Sequence, residues 1–287
     1  MADQSAYQKR FGGKVEDTKY PPNEFIQQIL GRATVRRFKD QPLADGQLEL
    51  LMAAAQSSAS SGMLQTWSVI ALTNKESKAR LVNSPETEIT MGSVDSSNIT
   101  ALNECPVFLI WLADLHRVDN ILKAHAEERG IDPDILLQTA RAEYHLKAII
   151  DATIAAQTFS LAAESQGLAV MYCGAIRQFP AQHFQDNFNL PHLTFPIFGM
   201  AVGTPMVEWF KPVKPRLPTD IVLHYNSYEP FTDMSKLDSY NQIHKKYSGA
   251  AKLINKDYVE RLIERMSVAD CKKSVADSLK QMGFDFK

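Results

Sequence analysis

The amino-acid sequence predicts an α+β protein, because apolar runs of strand length alternate with longer segments of helical periodicity. The four runs are residues 67–72, 107–112, 168–172 and 195–202. Two further helical stretches, near 234–247 and 256–281, follow the last run with no new strand between them. This order of elements favours one sheet with helices before, between and after its strands.

The first predicted helix precedes the sheet. Phe25, Ile26, Ile29 and Leu30 form an apolar stripe at helical spacing, and Asn23 is placed to cap the start of that helix. A left-handed turn at Gly31 is expected to end it. Residues 1–20 are polar, which predicts a loose arm or a segment that wraps a partner.

A basic stretch, residues 31–38, follows that helix directly. If the stretch is extended, Arg32, Thr34 and Arg36 point to one side and Ala33, Val35 and Arg37 to the other. Guanidinium groups and a hydroxyl on one side suit a phosphate monoester, which accepts charge-assisted hydrogen bonds. A solvated basic turn is the alternative.

A helix with Leu48, Leu51, Met52 and Ala55 on its apolar face leads into a serine loop, residues 57–65. This loop has little side-chain bulk before Met63, so a flat ligand could approach its backbone; a flexible linker is the alternative. Asn74 is expected to cap a short helix that ends near Leu81. Residues 83–104 are rich in Ser, Thr and Asn and are expected to form an irregular surface lid.

The later helical region is dominated by residues 149–163, which are apolar nearly all round. Such a helix belongs inside a domain or at a subunit interface. The longest apolar run, residues 148–156, is bounded by Lys147 and broken by Asp151, so it is too short and too polar to span a bilayer. Gly167 is expected to end the helix. A second basic cluster, Lys211, Lys214 and Arg216, lies in a proline-rich loop after the last strand.

Composition limits the classes of function. The 287 residues include 31 Lys and Arg against 33 Asp and Glu, a net charge of -2, so no overall field attracts nucleic acid or an anionic membrane. Cys105, Cys173 and Cys271 lie far apart without a Cys-x-x-Cys pair, which argues against a disulfide framework or zinc site. No signal peptide is evident. These features predict a cytoplasmic protein without a metal.

Several familiar catalytic motifs are missing from the sequence. There is no Gly-x-Gly-x-x-Gly after a strand, no P-loop and no Gly-x-Ser-x-Gly elbow. Cys173 is expected to be a small buried hydrophobe rather than a thiolate. Four histidines are expected to be solvated: His116, His125, His145 and His244. If the protein is an enzyme, a cofactor therefore carries the chemistry.

Five motifs in order resemble the nitroreductase and flavin reductase family, and within it the oxygen-insensitive NADPH nitroreductases. They are Gly-Arg-Ala-Thr-Val-Arg-Arg-Phe at 31–38, Ser-Ser-Gly-Met-Leu-Gln at 60–65, Ala-Ala-Glu-Ser-Gln-Gly-Leu at 162–168, Tyr-Cys-Gly-Ala-Ile-Arg at 172–177 and Lys-Pro-Arg-Leu-Pro at 214–218. The resemblance covers about residues 25–230 and continues more weakly beyond. It implies a mixed or antiparallel sheet of four to five strands and an intertwined homodimer with FMN in the subunit interface.

The resemblance also implies roles for particular residues. The implied FMN ligands are Arg32, Thr34, Arg36, Ser60, Ser61, Gln65, Tyr172, Gly174, Lys214 and Arg216. The implied contacts to nucleotide or substrate are Met63, Arg177, Lys252 and Lys256. Ala33 departs from the family, which usually has a basic or imidazole residue there, so the grip on phosphate is expected to be one donor weaker. The stretch 118–146 is longer than expected.

The resulting hypothesis is an enzyme with tightly bound FMN that takes hydride from NADPH, or from NADH, and reduces nitroaromatics, quinones or similar flat acceptors by a ping-pong mechanism. A flavin reductase that uses FMN as a diffusible substrate and a non-catalytic flavin-binding protein are the alternatives. The expected domains are an arm at 1–20, an FMN-binding domain at 21–230 and a helical extension at 231–287.

Overall fold

The computed structural model describes residues 6–11, 22–92, 96–132, 141–206, 212–250, 256–267 and 273–284. The chain forms two compact units. The sheet unit comprises residues 35–209 and 270–287, and the helical unit comprises residues 1–34 and 210–269.

The sheet unit contains a four-stranded antiparallel sheet in the order β1-β2-β4-β3. The strands are β1 Trp67–Leu72, β2 Val107–Asp114, β3 Ala169–Cys173 and β4 Thr194–Gly203. Each begins or ends within two residues of a run identified in the sequence, so the prediction of strands is confirmed. β2 and β4 are buried along their whole length because they occupy the two central positions.

The pairing of β2 with β4 contains a bulge. Trp111 lies opposite Phe198 and Leu112 lies opposite Pro196, so Ile197 is an extra residue on β4. Proline lacks the N–H that a central strand normally contributes to its ladder, and a bulge is one of the few places where a sheet accommodates it. The irregularity in β4 is therefore linked to its proline.

A close approach between neighbouring strands explains one glycine. A Cβ atom on Gly199 would lie 2.3 Å from Cζ of Phe108, much closer than real Cβ contacts allow. The fully buried Phe108 ring therefore occupies the space above Gly199. Any larger residue at 199 would displace that ring or open the two central strands.

Eight α-helices of the described residues belong to the sheet unit. They are Gln47–Gln56, Lys75–Val82, Thr87–Met91, Ser97–Glu104, His116–His125, Arg141–Ser165, Ala181–Phe188 and Lys273–Gln281. The first of these buries Leu51 and Ala55 as predicted. The second is capped by Asn74, whose side chain accepts from the Ser77 N–H at 2.8 Å, again as predicted.

The longest of them, Arg141–Ser165, is called the long helix below. Among the described residues it alone is long and apolar enough to span a membrane. It is nevertheless a core helix of the sheet unit, because its small residues are buried and its Phe159 packs edge-on against Trp111 of β2. The buried alanines are Ala148, Ala152, Ala155, Ala156 and Ala163. Gly167, with φ of +77°, follows its end as expected.

The expectation of an irregular lid at 83–104 was wrong. Two helices, Thr87–Met91 and Ser97–Glu104, occupy much of this stretch and bury Met91 and Leu102. The hydroxyl side chains that suggested a loop bond to helix backbone instead. Thr90 and Thr100 donate to the carbonyls four residues earlier, at 2.9 and 3.0 Å.

The helical unit contains five α-helices in its described residues: Ala6–Phe11, Glu24–Gly31, Thr219–Val222, Asp238–Ala250 and Tyr258–Ser267. The Asn23 cap is confirmed, since its side chain accepts from the Ile26 N–H at 2.9 Å. The left-handed turn at Gly31 was wrong. Gly31 stays helical, and the chain leaves through Arg32 with φ of −56° and ψ of 130°.

Residues near the two predicted C-terminal helical stretches divide between the units. The helix Lys273–Gln281 belongs to the sheet unit, where the Leu193 N–H donates to the Met282 carbonyl at 2.9 Å. The Leu115 N–H in turn donates to the Leu193 carbonyl at 2.9 Å. These two hydrogen bonds thereby join the segment after β2, the loop before β4 and the last described residues.

Candidate functional site

Arg10 organises a group of basic residues in the helical unit. Only 8% of Arg10 is exposed, and its guanidinium donates to three backbone carbonyls. Nε and Nη2 donate to the Leu30 carbonyl at 2.9 and 2.8 Å, Nη2 to the Arg32 carbonyl at 2.8 Å, and Nη1 to the Lys214 carbonyl at 3.2 Å. The Arg216 N–H donates to the Arg10 carbonyl at 2.9 Å. Three segments distant in sequence therefore meet here.

We call Arg10, Arg32, Lys214 and Arg216 the arginine cluster. Burial lowers the pKa of Arg10, and the neighbouring charges of Arg216 and Arg32 lower it further. These guanidinium groups are thus close enough to repel one another, which an anion would relieve. Sequence analysis predicted that Arg32, Lys214 and Arg216 act together, and the helical unit does bring them together.

Arg10 is not among the predicted site residues, because the polar composition of residues 1–20 predicts a loose arm or a segment that wraps a partner. The described part of that arm is instead a helix whose Tyr7 and Phe11 rings lie 4.6 Å apart. Aromatic residues four positions apart are a helix signal that could have been used. The polar composition around them concealed it.

The basic stretch continues into the sheet unit with Arg36 and Arg37, which have different environments. Arg37 pairs with Glu104, with Nη2 2.7 Å from Oε1, while Val35 beside it is buried. In the described part of the chain, Arg36 makes no hydrogen bond or ion pair to another side chain or to backbone. As expected for an extended segment, the two arginines therefore differ. Arg36 is available to bind an anion, whereas Arg37 makes a structural ion pair with Glu104.

Asp151 of the long helix holds the serine loop. Only 1% of Asp151 is exposed, and its carboxylate accepts four hydrogen bonds from the loop and the residue after it. The donors are Ser60 Oγ at 2.7 Å, the Ser61 N–H at 3.0 Å, and the N–H and Oγ1 of Thr66 at 3.3 and 3.0 Å. The loop is therefore held rather than a flexible linker.

Arg117 holds the other end of the loop. Its guanidinium donates to the carbonyls of Gln65 and Trp67, the latter at 3.1 Å, and lies 3.8 Å from the Asp114 carboxylate. Neither Asp151 nor Arg117 is among the residues predicted to support the loop. Asp151 is the only carboxylate in the apolar stretch 149–163, and this was the available signal, because a buried charge needs several donors.

The backbone between these two supports is unusual. Gly62, Met63 and Gln65 all have φ near +55°, a region that side chains other than glycine rarely adopt. Met63 is 83% exposed, so packing does not explain its conformation. Several such residues held by surrounding hydrogen bonds are typical of a functional site.

The turn after β3 is a third feature of interest. Arg177 donates to the carbonyl of Ile197, the extra residue of the bulge, at 2.5 Å. A Cβ on Gly174 would lie 3.1 Å from the Arg177 guanidinium, which packs closely against that glycine. The Tyr172 hydroxyl donates to the Ala156 carbonyl of the long helix at 3.1 Å. This turn is thus fixed to both the sheet and the long helix.

Cys173, the last residue of β3 before this turn, is buried as predicted. Burial raises its pKa to about 11, although the charges of Arg177 and Arg36 act in the opposite direction. The thiol is therefore protonated at neutral pH and is not a nucleophile.

Comparison with known proteins assigns the chain to a family. The nitroreductase family model matches residues 29–204, and the model of the nitroreductase family C-terminal domain matches residues 214–287. The chain belongs to the nitroreductase family. The resemblance stated from the five motifs is therefore confirmed.

Three nitroreductase relatives illustrate the similarity. The chain is 34% identical over 211 residues to an FMN reductase (NADPH) of Bacillus subtilis, covering 74% of this chain and 77% of that one. It is 31% identical over 208 residues to an oxygen-insensitive NADPH nitroreductase of Salmonella typhimurium, covering 72% and 76%. The solved structure of the NfrA1 nitroreductase from B. subtilis has a TM-score of 0.77 and 28% identity, covering 91% and 98%.

The nucleotide contacts expected in this nitroreductase are only partly described. Lys252 and Cys271 lie outside the described residues. The Lys256 ammonium lies 3.2 Å from the Glu264 carboxylate, and its hydrogen bond lowers the pKa of Glu264. The charge of Lys256 is therefore partly compensated, which reduces its pull on a nucleotide phosphate.

One histidine of this nitroreductase differs from expectation. His145 was expected to be solvated, but it is 4% exposed on the long helix and its ring centroid lies 4.2 Å from that of Phe284. Burial lowers its pKa to about 4. The expectation failed because the partner ring comes from a distant part of the sequence.

Proposed function

We propose that this chain is an FMN-dependent oxidoreductase that takes hydride from NADPH and reduces flat aromatic acceptors such as nitroaromatics or quinones. Its membership of the nitroreductase family and the names of its relatives support this proposal. The single observation that carries it is the arginine cluster, in which basic residues from three distant segments are drawn together, with no ion pair at Arg10 among the described residues.

The donor set of the helical unit fits a phosphate monoester. Arg32, Lys214 and Arg216 would bind the FMN phosphate, and the Thr34 hydroxyl would supply a further donor. Guanidinium groups match the geometry of phosphate oxygens, and lysine adds a point charge. Arg36, which makes no hydrogen bond or ion pair among the described residues, is proposed as a further phosphate ligand.

The serine loop fits the flavin ring and its ribityl chain. Gly62 lacks a Cβ, and only Leu64 Cγ would lie within 4 Å of one, so the space beside it is open. Ser60 donates to Asp151 and accepts from the Gln65 N–H at 2.7 Å, so its hydroxyl shapes the loop first. Ser61 and Gln65 would contact the cofactor, and Tyr172 and Gly174 would present backbone to the ring.

FMN, when bound, supplies the centre that accepts hydride from the nucleotide. The protein's role is to bind FMN and to orient it and the reacting molecules. The protonated Cys173 offers no competing nucleophile beside the turn. The proposed contacts to nucleotide or acceptor are Met63, Arg177, Lys252 and Lys256. In a ping-pong mechanism the nucleotide would bind and leave before the acceptor binds.

A flavin reductase is the second candidate, favoured by the relative named FMN reductase (NADPH). In that case FMN would be a diffusible substrate rather than a held cofactor. A flavin-binding protein without turnover is the third candidate, and it predicts bound flavin that NADPH does not reduce.

We also propose a cytoplasmic homodimer. The long helix exposes Leu146, Ile150 and Ile154, which are spaced four residues apart and therefore form one apolar stripe. A second copy of the chain covering this stripe would remove it from water. Light scattering on a size-exclusion column measures the mass, and a monomer that retains FMN below micromolar concentration would argue against this assembly.

One experiment tests the main proposal. The protein is purified, its bound flavin is identified by absorbance and chromatography, and NADPH oxidation is followed with nitrofurazone or with free FMN as acceptor. Retained flavin and turnover with nitrofurazone alone support the held cofactor. Turnover only when free FMN is added supports the flavin reductase, and bound flavin without turnover supports the binding protein.

A further inference from the structure

We propose that Arg10 is a positioning residue that assembles the phosphate site, by fixing the segment around residues 30–32 to the segment around residues 214–216. This inference rests on the proposed function, since it concerns the site that would hold the FMN phosphate. Arg10 acts through Arg32, Lys214 and Arg216 rather than by touching the phosphate itself.

The hydrogen bonds of Arg10 carry this inference. A guanidinium has five N–H donors in a fixed fork, and four hydrogen bonds from its three nitrogens reach carbonyls on two separate segments. The Arg10 carbonyl also accepts from the Arg216 N–H. Arg10 is thus bonded to the backbone of Arg32, Lys214 and Arg216, which are the proposed phosphate ligands of the helical unit.

The occupied donors distinguish positioning from direct binding. Because most N–H groups of Arg10 already point at carbonyl oxygens, few are left for a ligand. Its low exposure also keeps it away from solvent. Its contribution is to hold neighbouring side chains in place before the ligand arrives, which reduces the conformational freedom lost on binding.

The mutual repulsion of the cluster explains why such a residue is needed. Arg10, Arg32 and Arg216 are close enough for their charges to oppose one another. The hydrogen bonds of Arg10 act against this repulsion, because they fix the segments around residues 30–32 and 214–216 to one side chain. The carbonyl acceptors compensate the buried guanidinium and keep the segments together, so that a doubly charged phosphate gains the full set of donors.

The test compares FMN with riboflavin, which lacks the phosphate. Full-length protein is freed of flavin, and the Kd for each compound is measured by flavin fluorescence in wild type, Arg10→Met and Arg10→Lys. We expect both variants to weaken FMN binding about tenfold or more, as the loss of one charge-assisted phosphate contact would. Riboflavin binding should change less than about twofold, because a phosphate-site defect does not affect it.

Arg10→Lys separates geometry from charge. Lysine keeps the positive charge but has a single nitrogen, which cannot reproduce the four hydrogen bonds that the three nitrogens of Arg10 make to the two segments. If Arg10→Lys binds FMN like wild type, charge alone is sufficient and the positioning role is overturned. If Arg10→Met does not fold, the same comparison with Arg10→Lys decides the question. Arg129→Gln, an exposed arginine of the sheet unit, serves as the control and should leave both Kd values unchanged.

The outcomes also separate this inference from the proposed function. Equal affinity of wild type for FMN and riboflavin would show that the phosphate does not contribute to binding and would contradict the proposed phosphate site itself. A wild-type preference for FMN that persists in Arg10→Met would leave the phosphate site intact and overturn the role of Arg10. If the Arg10 variants lose affinity for FMN and riboflavin to the same extent, Arg10 supports the fold in general, and its proposed role at the phosphate site is overturned.

Discussion

The Ser60 hydroxyl donates a 2.7 Å hydrogen bond to Oδ2 of Asp151, and this pair links the serine loop to the centre of the long helix. The same hydroxyl accepts from the Gln65 N–H, so Ser60 connects the last residue of the loop to this buried carboxylate. A buried carboxylate is tolerated only when several donors surround it. The shape of the loop and the stability of the sheet unit are therefore coupled through Asp151.

Replacing Asp151 with Asn should destabilise the protein by about 2–4 kcal/mol, because an amide nitrogen would face N–H and O–H donors. The loop should also lose its fixed shape and bind flavin less tightly. Urea unfolding and flavin content measure the two effects. The exposed Asp45→Asn provides the matched control. Wild-type stability in Asp151→Asn would show that the four hydrogen bonds do not stabilise the loop.

Arg36→Ala and Lys214→Ala should each weaken FMN binding about ten- to hundredfold, because a charge-assisted hydrogen bond contributes roughly 1.5–3 kcal/mol. Arg37→Ala is the informative comparison. Its guanidinium pairs with Glu104, so this change should lower stability rather than FMN affinity. Fluorescence titration with FMN checks the prediction. Wild-type affinity in a folded Arg36 or Lys214 variant would contradict that residue's assignment.

Gly62→Val should lose flavin binding, because a branched side chain would fill the open space beside the loop backbone. The φ of +59° at Gly62 also strains any valine, so a second variant is needed. Asparagine tolerates this backbone region, and Gly62→Asn therefore tests side-chain volume with less strain. Bound flavin per protomer and kcat are measured for both. Full flavin content and turnover in Gly62→Val would place the ring elsewhere.

NADPH should be preferred over NADH, but by a modest factor. The segment that is expected to meet the 2′-phosphate offers Lys252 and Lys256 and no arginine. An exposed lysine contact contributes roughly 0–1 kcal/mol, so each Lys→Ala change should alter the ratio of kcat/KM only a few-fold. The ion pair with Glu264 makes a smaller effect at Lys256 the expectation. A salt-insensitive NADPH preference in both variants would point to Arg177.

The free energy of unfolding should decrease as the pH is lowered, because of His145. Its pKa is lowered from 6.5 to about 4 in the folded protein, so the unfolded chain binds a proton that the folded protein excludes. The contribution is complete above pH 6.5 and is lost towards pH 4, at up to roughly 1.4 kcal/mol per pH unit. Urea unfolding between pH 4.5 and 7.5 should show a flatter dependence in His145→Phe. The exposed His125→Gln should retain the wild-type slope.

Local patterns in the sequence predicted much of the fold. The apolar runs became strands, Asn23 and Asn74 became helix caps, and Gly167 followed the long helix. These features depend on neighbours a few residues away, which the sequence displays directly. The region 83–104 failed because Ser and Thr favour loops by propensity, whereas here their hydroxyls bond within helices.

The candidate site was predicted less completely, for a physical reason. Arg32, Lys214 and Arg216 are recognisable as basic residues beside turns. Arg10 and Asp151 work instead through bonds to carbonyls and loop donors far along the chain. No local pattern reveals such partners, because only the folded backbone brings them together. The same applies to His145, whose burial depends on Phe284.

The hydrogen bond from the Leu193 N–H to the Met282 carbonyl has a consequence for biosynthesis. A chain emerging from the ribosome exposes all four strands long before residues 273–284 are made. Until then, Leu193 lacks an acceptor and the ring of His145 lacks its neighbour at 284. The sheet unit therefore reaches its described arrangement only after residues 273–284 have been made, and before that point the unfinished unit exposes apolar surface that chaperones can bind.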